Sequence, residues 1–343
     1  VASINLAPGY FTEPDAIFEE MDRVGKNGVD LIVTPEVWTG ETAEPDGDTF
    51  TSPVLDTAKE KAAEYQTYVV VCMGRYATEE ESAKILENDT TGYWQQADRL
   101  KFNSCILIDR TGEIAFIYDK IYPYMTEFSQ CDGVEMNYEE MTQAAINEEA
   151  AFPGDHIGVY ECDFGKLGMA ICFDMNFPEV WRQMGEAGAE LVVWPSAFDG
   201  GVNVKTRAAA NNYYVVSCTG IGTGGCRVED VTGEELIYQL PEEGAVTNTV
   251  EVTLNLDRTV FHKNFNEGKL SQAQEKYAGK IETDMSYYST AEWIVAWSND
   301  ENLTIQDLCD EYGLVPLRDF KTTKQEAFVD QLRGQGIYWD ADE

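Results

Sequence analysis

The alternation of short apolar segments with segments of helical periodicity most constrains the fold of this chain. It extends over the first 258 of its 343 residues. The apolar runs of strand length include residues 1–6, 30–35, 68–73, 167–171 and 191–194. Residues 14–26 and 52–65 instead place apolar side chains at helical spacing. Continuous apolar runs are typical of strands covered on both faces, and the intervening helices supply that cover. The pattern predicts an α/β protein.

Turn residues predict two hairpins, and a change of composition marks where the alternating pattern ends. Arg110-Thr-Gly112 and Phe164-Gly165-Lys166 each separate two apolar arms. Residues 127–151 are acidic and irregular, which predicts a long surface loop with a helical piece over 138–149. Beyond residue 259 the chain becomes acidic and aromatic. We expect one main domain over 1–259 and a C-terminal extension over 260–343, with helices near 267–277 and 304–312.

The charge of the chain disfavours some classes of partner. It has 24 Lys and Arg against 62 Asp and Glu, a formal net charge of −38. Such a surface repels phosphate backbones and anionic lipids, so nucleic acid and membranes are not expected as partners. No apolar run is long enough to predict a membrane span. The eight cysteines are scattered without a CxxC pair, which indicates reduced thiols and predicts a cytoplasmic protein.

The scarcity of histidine restricts the chemistry further. His156 and His262 are the only two histidines, which argues against His-rich zinc sites and Ser-His-Asp triads. Gly220-Ile-Gly222-Thr-Gly-Gly225 has dinucleotide-site spacing, but the residues after it indicate a strand and a turn. The pyrophosphate of a dinucleotide needs a helix there. Catalysis would therefore depend on carboxylates, Lys, Cys, Tyr or backbone groups.

Three reactive side chains follow apolar strands directly. Glu36 comes after Leu-Ile-Val-Thr-Pro, Lys120 after Ile-Ala-Phe-Ile-Tyr-Asp, and Cys172 after Leu-Gly-Met-Ala-Ile. Ligands of open α/β sheets bind beyond the carboxyl ends of the strands. Together the three supply a base, a cation for a developing oxyanion and a nucleophile. Taken singly, the Glu and the Lys would be ordinary loop residues and the Cys a packing residue.

These residues lie in four stretches that together resemble the nitrilase superfamily of carbon–nitrogen hydrolases. The stretches are Thr34-Pro-Glu36-Val-Trp38, Tyr118-Asp-Lys120-Ile-Tyr-Pro123, Gly168-Met-Ala-Ile-Cys172-Phe-Asp-Met-Asn-Phe-Pro-Glu179, and Ala189-Glu-Leu-Val-Val-Trp-Pro-Ser196. Their order and spacing are similar to the family's as far as about Arg258. The resemblance implies a four-layer αββα sandwich with the catalytic domain over 1–259, commonly paired into homodimers or larger homo-oligomers.

The resemblance also implies roles for individual residues. Glu36 takes the general-base position, Lys120 that of the catalytic lysine and Cys172 that of the nucleophile, with the backbone N–H of Phe173 at the oxyanion. The family uses a second glutamate, for which Glu127 fits best, while Glu135 and Glu139 remain alternatives. No metal or organic cofactor is implied.

The residues after Cys172 narrow the class of substrate that the resemblance implies. Cys-Phe-Asp-Met-Asn-Phe-Pro-Glu looks like the amidase and carbamoylase branches, whereas nitrile-specific members have Cys-Trp-Glu-Asn. A small carboxamide or N-carbamoyl compound is therefore the expected substrate, cleaved through a thioester. Nitrile hydrolysis, acyl transfer and a catalytically silent binding or scaffold role remain alternatives. The residues expected to line the substrate pocket, or else to pack, are Trp38, Tyr124, Asn176, Trp194, Ser196 and Phe198.

Overall fold

The strands and helices follow the predicted alternation closely. A computed structural model describes residues 1–90, 92, 95, 99–124, 151–220, 222–320 and 326–334. The strands are β1 Ala2–Leu6, β2 Leu31–Val33, β3 Thr42–Asp46, β4 Thr49–Thr51, β5 Tyr68–Tyr76, β6 Lys101–Ile108, β7 Ile114–Asp119, β8 Gly158–Cys162, β9 Gly165–Met169, β10 Leu191–Ser196, β11 Tyr214–Thr219, β12 Cys226–Glu229, β13 Glu235–Gln239, β14 Thr247–Glu251, β15 Thr259–His262, β16 Ile281–Asp284 and β17 Trp293–Ser298. The helices are α1 Pro14–Gly25, α2 Pro53–Tyr65, α3 Glu79–Glu87, α4 Pro178–Glu186, α5 Val202–Asn211, α6 Lys263–Lys276, α7 Ile305–Tyr312, α8 Leu317–Asp319 and α9 Glu326–Gly334.

Two sheets form the main domain. The first has eight strands, in which β14, β1, β2 and β5 are neighbours, β6 and β7 extend the sheet beyond β5, and β3 and β4 join at the end of β5. The second has six strands in the order β13-β12-β11-β10-β9-β8. In each sheet the central strands are parallel, which is the arrangement that crossover helices produce.

The alternation of side chains along the strands generates the layers. Leu31 and Val33 of β2 pack in one cluster with Leu191 and Val193 of β10, between the two sheets. Ile32 turns the other way, into a cluster with residues of α1 and α2. On the far side of the second sheet, Val192 and its neighbours pack against α4 and α5. This order of layers confirms the α/β class and the αββα sandwich.

The extension beyond the sandwich contains a sheet that was not predicted. Strands β15, β17 and β16 form a three-stranded antiparallel sheet, and α6 and α7 pack on it around a separate apolar cluster. Two arginines connect this unit to the sandwich. Arg258 Nη2 lies 3.0 Å from the Asp230 carboxylate, and Arg318 donates to the backbone oxygen of Ala189 at 2.6 Å.

Helix α3 and the β3–β4 hairpin were also missed. Helix α3 has nine residues, of which Ala83, Ile85 and Leu86 are apolar, and none of its side chains is buried, so the apolar signal for helix prediction is short and weak. Its other sequence signal is the Thr78 and Glu81 capping box. The residues after the Gly220–Gly225 loop form strand β12 rather than a helix, as expected. The helical piece expected over 138–149 lies outside the described residues.

Two findings relate to the predictions on compartment. No described helix has both the length and the apolar character needed to cross a bilayer. The seven described cysteines are all free thiols.

Candidate active site

Glu36 lies three residues beyond the end of β2. Its carboxylate is buried, with 6% of the residue exposed. Oε1 accepts hydrogen bonds from Lys120 Nζ at 2.9 Å and from Asn103 Nδ2 at 3.0 Å. Oε2 is buried and accepts no hydrogen bond from any residue that the structure describes. One oxygen is therefore fixed in place, while the other is available to a proton.

The backbone around Glu36 is constrained on both sides. Thr34 donates its backbone N–H and its hydroxyl to the oxygen of Val70, at 3.1 and 2.9 Å. Val37 has a φ of +53°, a left-handed conformation that is unfavourable for a β-branched residue. Its N–H bonds the oxygen of Cys72 at 3.1 Å, which holds that conformation. Strain of this kind is concentrated at functional sites.

Lys120 follows β7 and is almost completely buried, at 1% exposure. Its backbone N–H donates to Asn103 at 2.8 Å, and its backbone oxygen accepts from Gly154 at 2.9 Å. Gly154 must be a glycine, because an added Cβ would lie 2.2 Å from the oxygen of Asp119. The lysine is thus held from two sides, with its ammonium against Glu36. That ion pair offsets part of the cost of burying both charges.

Cys172 begins a 3-10 helix, Cys172–Asn176, two residues of chain beyond the end of β9. Its φ of +43° is another left-handed conformation in a residue other than glycine. The turn is held by Asp174, whose fully buried carboxylate accepts from Tyr118 Oη at 2.7 Å, Ile171 N at 3.0 Å and Tyr122 N at 2.9 Å. Behind the cysteine, Trp194 Nε1 donates to its backbone oxygen at 3.0 Å.

The surroundings of the thiol favour its neutral form. Burial, and then the negative charge of Glu36, raise the pKa of Cys172 to about 12, while Lys120 and hydrogen bonds from Ala197 and Ser196 oppose the rise. The sulfur is therefore a thiol at neutral pH and needs a base to become a nucleophile. Burial likewise raises the pKa of Asp174 to about 6.

A cavity of about 430 Å³ opens onto these groups. Its wall includes Glu36, Val37, Glu41, Lys101, Asn103, Tyr124, Ala151, Cys172 and Ala197. This volume lies within the range of sites for small molecules. In the described part of the chain, no group of three or more His, Cys, Asp or Glu side chains is arranged to hold a metal ion.

Of the predicted pocket residues, Tyr124 and Ser196 lie near the cavity or the thiol, whereas Trp194 and Phe198 pack behind the cysteine. Tyr124 lies on the cavity wall, with its ring 5.0 Å from that of Phe173. Ser196 is buried, and its hydroxyl lies near enough to the Cys172 thiol to lower the pKa of that thiol. Phe198 packs against Trp194, which is fully buried behind the cysteine, and neither residue is part of the wall. Glu127, with its alternatives Glu135 and Glu139, lies outside the described residues.

Two of the residues expected to line the pocket, or else to pack, make other contacts in the structure. The indole of Trp38 is fully buried in the cluster between the first sheet and its helices, where it donates to Thr34 Oγ1 at 2.8 Å and meets Phe18 edge-on. Asn176 is exposed, and its amide donates to the backbone oxygen of Phe173 at 3.3 Å. Trp38 therefore packs the core, and Asn176 closes the turn that carries the cysteine.

Sequence reasoning missed two polar residues that the structure places in the site. Asn103 bonds Glu36, and Asp174 braces the cysteine turn. A signal existed for both. Asn103 interrupts the apolar strand Phe102-Asn-Ser-Cys-Ile-Leu, and Asp174 is two residues from the proposed nucleophile. Buried polar groups need partners, so an isolated polar residue in a buried strand indicates a contact.

Comparison with known proteins agrees with this architecture. A family model described as carbon-nitrogen hydrolase matches residues 1–260. A deaminated glutathione amidase of Yersinia enterocolitica is 24% identical over 66% of this chain and 74% of its own length. A probable nitrilase of Schizosaccharomyces pombe is 28% identical over 68% and 79%. Among solved structures, an amidase from Nesterenkonia sp. AN1 aligns with a TM-score of 0.52 at 18% identity, over 80% of this chain and 98% of that one.

The chain thus belongs to the carbon–nitrogen hydrolase family, the nitrilase superfamily. It is a hydrolase that acts on carbon–nitrogen bonds other than peptide bonds, and the amidases among its relatives support an amidase-type reaction.

Proposed function

We propose that the protein hydrolyses a small carboxamide or N-carbamoyl compound through a thioester on Cys172. The observation that carries the proposal is the state of Glu36, whose Oε1 is held by Lys120 while its buried Oε2 is left for proton transfer in the cavity that Cys172 also lines. A thiol with a pKa raised to about 12 requires such a base.

The first half of the reaction forms the thioester. Glu36 accepts the thiol proton as the sulfur of Cys172 attacks the carbonyl carbon. The ammonium of Lys120 and the backbone N–H of Phe173 stabilise the tetrahedral oxyanion. Loss of one such donor typically raises the barrier by about 3 kcal/mol. Protonated Glu36 then gives its proton to the departing nitrogen, which leaves as ammonia or an amine.

The second half regenerates the enzyme. Glu36 removes a proton from a water molecule, which attacks the thioester carbon. The carbon–sulfur bond breaks, the thiolate recovers the proton, and the carboxylic acid leaves. Glu127 is proposed as the second glutamate that assists these proton transfers.

The experiment that tests this function measures ammonia release from a panel of amides, carbamoyl amino acids and nitriles. Cys172→Ala should abolish release with the fold intact. The control is Cys309→Ala in α7. Cys309 is buried to a similar degree, at 8% exposure against 7%, and its thiol pKa is also raised to about 12. Turnover by the Cys172 variant at the wild-type rate would overturn the mechanism. Exclusive turnover of nitriles would overturn the substrate class.

A further inference from the structure

Lys101 lies at the start of β6, on the same face as the site. Cys105 and Leu107 of β6 point into the core between the sheets, and side chains alternate along a strand. Asn103, which bonds Glu36, therefore shares this face, and so does Lys101, two residues earlier. Two residues of a strand span roughly 7 Å. Lys101 thus lines the cavity roughly 7 Å along the strand from Asn103, the residue that bonds Glu36.

The charge of Lys101 is not neutralised within the described structure. Its ammonium forms no ion pair or side-chain hydrogen bond with a described residue, although the side chain is half-buried. The cations near it differ. Arg99 pairs with Glu44 and stacks on Tyr76, and the buried Arg75 pairs with Asp119 and Glu81. In a chain with 62 acidic and 24 basic residues, a partly desolvated cation without a partner among the described residues is unusual.

Two acidic residues line the same wall, and each accepts hydrogen bonds from described residues. Glu36 holds Lys120 and Asn103. Glu41 accepts the backbone N–H of Val54 at 3.1 Å, at the start of α2. Lys101 is therefore the cationic side chain of this wall that has no ion pair among the described residues, so its ammonium can bind an anionic ligand.

We infer that the substrate carries an anionic group, a carboxylate in the simplest case, a few bonds from its amide carbon, and that Lys101 binds that group. This rests on the proposed function and specifies the substrate class. With the amide carbon at Cys172, the chain of the substrate would follow the face of β6, and its carboxylate would meet the ammonium. A hydrogen bond between two such charged groups is among the stronger polar contacts in proteins.

The test compares an anionic amide with a neutral analogue of the same shape. Glutaramate and glutaramide differ only in that a terminal carboxylate replaces an amide. For the wild-type protein we expect kcat/KM to favour glutaramate by about ten- to hundredfold, mainly through KM. Lys101→Met should reduce this ratio at least tenfold, Lys101→Arg should keep most of it, and Lys101→Glu should reverse it. Lys26→Met, which removes an exposed positive charge elsewhere, is the control and should keep the ratio.

Other outcomes would overturn the inference. An unchanged ratio in Lys101→Met would show that Lys101 does not contact the anion. A wild-type preference for 4-aminobutanamide, a cationic amide, would show that this wall of the cavity binds a cationic group of the substrate instead.

A separate binding measurement distinguishes failure of this inference from failure of the proposed function. If no amide is turned over, the proposed function fails. Calorimetric binding of glutaramate to Cys172→Ala, with and without Lys101→Met, then still tests the contact. At least tenfold weaker binding in the double variant would support the contact, and equal binding would exclude it.

Discussion

At the scale of single residues, the proposed chemistry depends on the different roles of the two carboxylate oxygens of Glu36. Oε1 accepts from Lys120 and Asn103, and Oε2 accepts from no described residue. The two hydrogen bonds to Oε1 fix the direction of the carboxylate, and Oε2 receives the proton. Cys172, with its pKa raised to about 12, cannot replace that base by ionising on its own.

Glu36→Gln should therefore remove the general base and keep the hydrogen bonds that orient the side chain. The amide oxygen of glutamine can still accept from Lys120 and Asn103, so we expect the fold to persist, while the amide nitrogen cannot accept a proton. Loss of general-base catalysis should lower kcat about 10²- to 10⁴-fold, measured as steady-state ammonia release. A thermal melt serves as the folding control. A variant that keeps more than a tenth of the wild-type kcat would contradict the role of Glu36.

At the scale of secondary-structure elements, the site is built from the ends of strands and from one tight turn. Strands β2, β6 and β7 deliver Glu36, Asn103 and Lys120 to one edge, and the 3-10 helix after β9 delivers Cys172. Asp174 connects these parts, because its carboxylate accepts from Tyr118 of β7, from Ile171 and from Tyr122. The position of the nucleophile relative to the lysine strand therefore depends on one buried carboxylate.

Asp174→Asn should loosen this connection. Asparagine offers one acceptor oxygen, so its amide N–H₂ would face a donor, either Tyr122 N–H or the Tyr118–Ile171 pair. An unsatisfied buried donor costs about 1–3 kcal/mol. We expect a lower free energy of unfolding in urea together with a lower kcat. Asp163→Asn, at an exposed carboxylate that pairs with Arg110, is the matched control and should change little. Wild-type kcat in the Asp174 variant would show that the turn is held by other contacts.

At the scale of the whole molecule, the net charge of −38 opposes the compact state through self-repulsion. The described ion pairs, among them Arg258 with Asp230 between extension and sandwich, offset part of it locally. The remaining repulsion is between exposed like charges, which salt screens over distances of about 10 Å at 0.1 M.

Added NaCl should accordingly raise the melting temperature. Screening worth about 1–2 kcal/mol would raise Tm by roughly 2–4 °C between low salt and 0.5 M in a domain of this size. The measurement is a series of thermal melts at fixed pH, with sorbitol at matched osmolality as the uncharged control. A Tm that falls with NaCl would show that the ion pairs outweigh the repulsion.

The sequence by itself determined what depends on local order along the chain. Apolar periodicity located the strands and helices of the sandwich, and the four stretches around Glu36, Lys120, Cys172 and Trp194 identified the family. Strand ends were enough to single out the reactive side chains. Helix α3 was not predicted because it is short and contains few apolar residues, none of which is buried.

Only the tertiary structure decided which side chains meet. Trp38 is two residues from Glu36, yet its indole packs into the core, and Asn103 and Lys101 reach the cavity through pairing of strands distant in sequence. These contacts depend on strand order, on register and on which face of each strand points into the space between the sheets. A shift of one residue in register exchanges the two faces, so local sequence signals cannot specify such contacts.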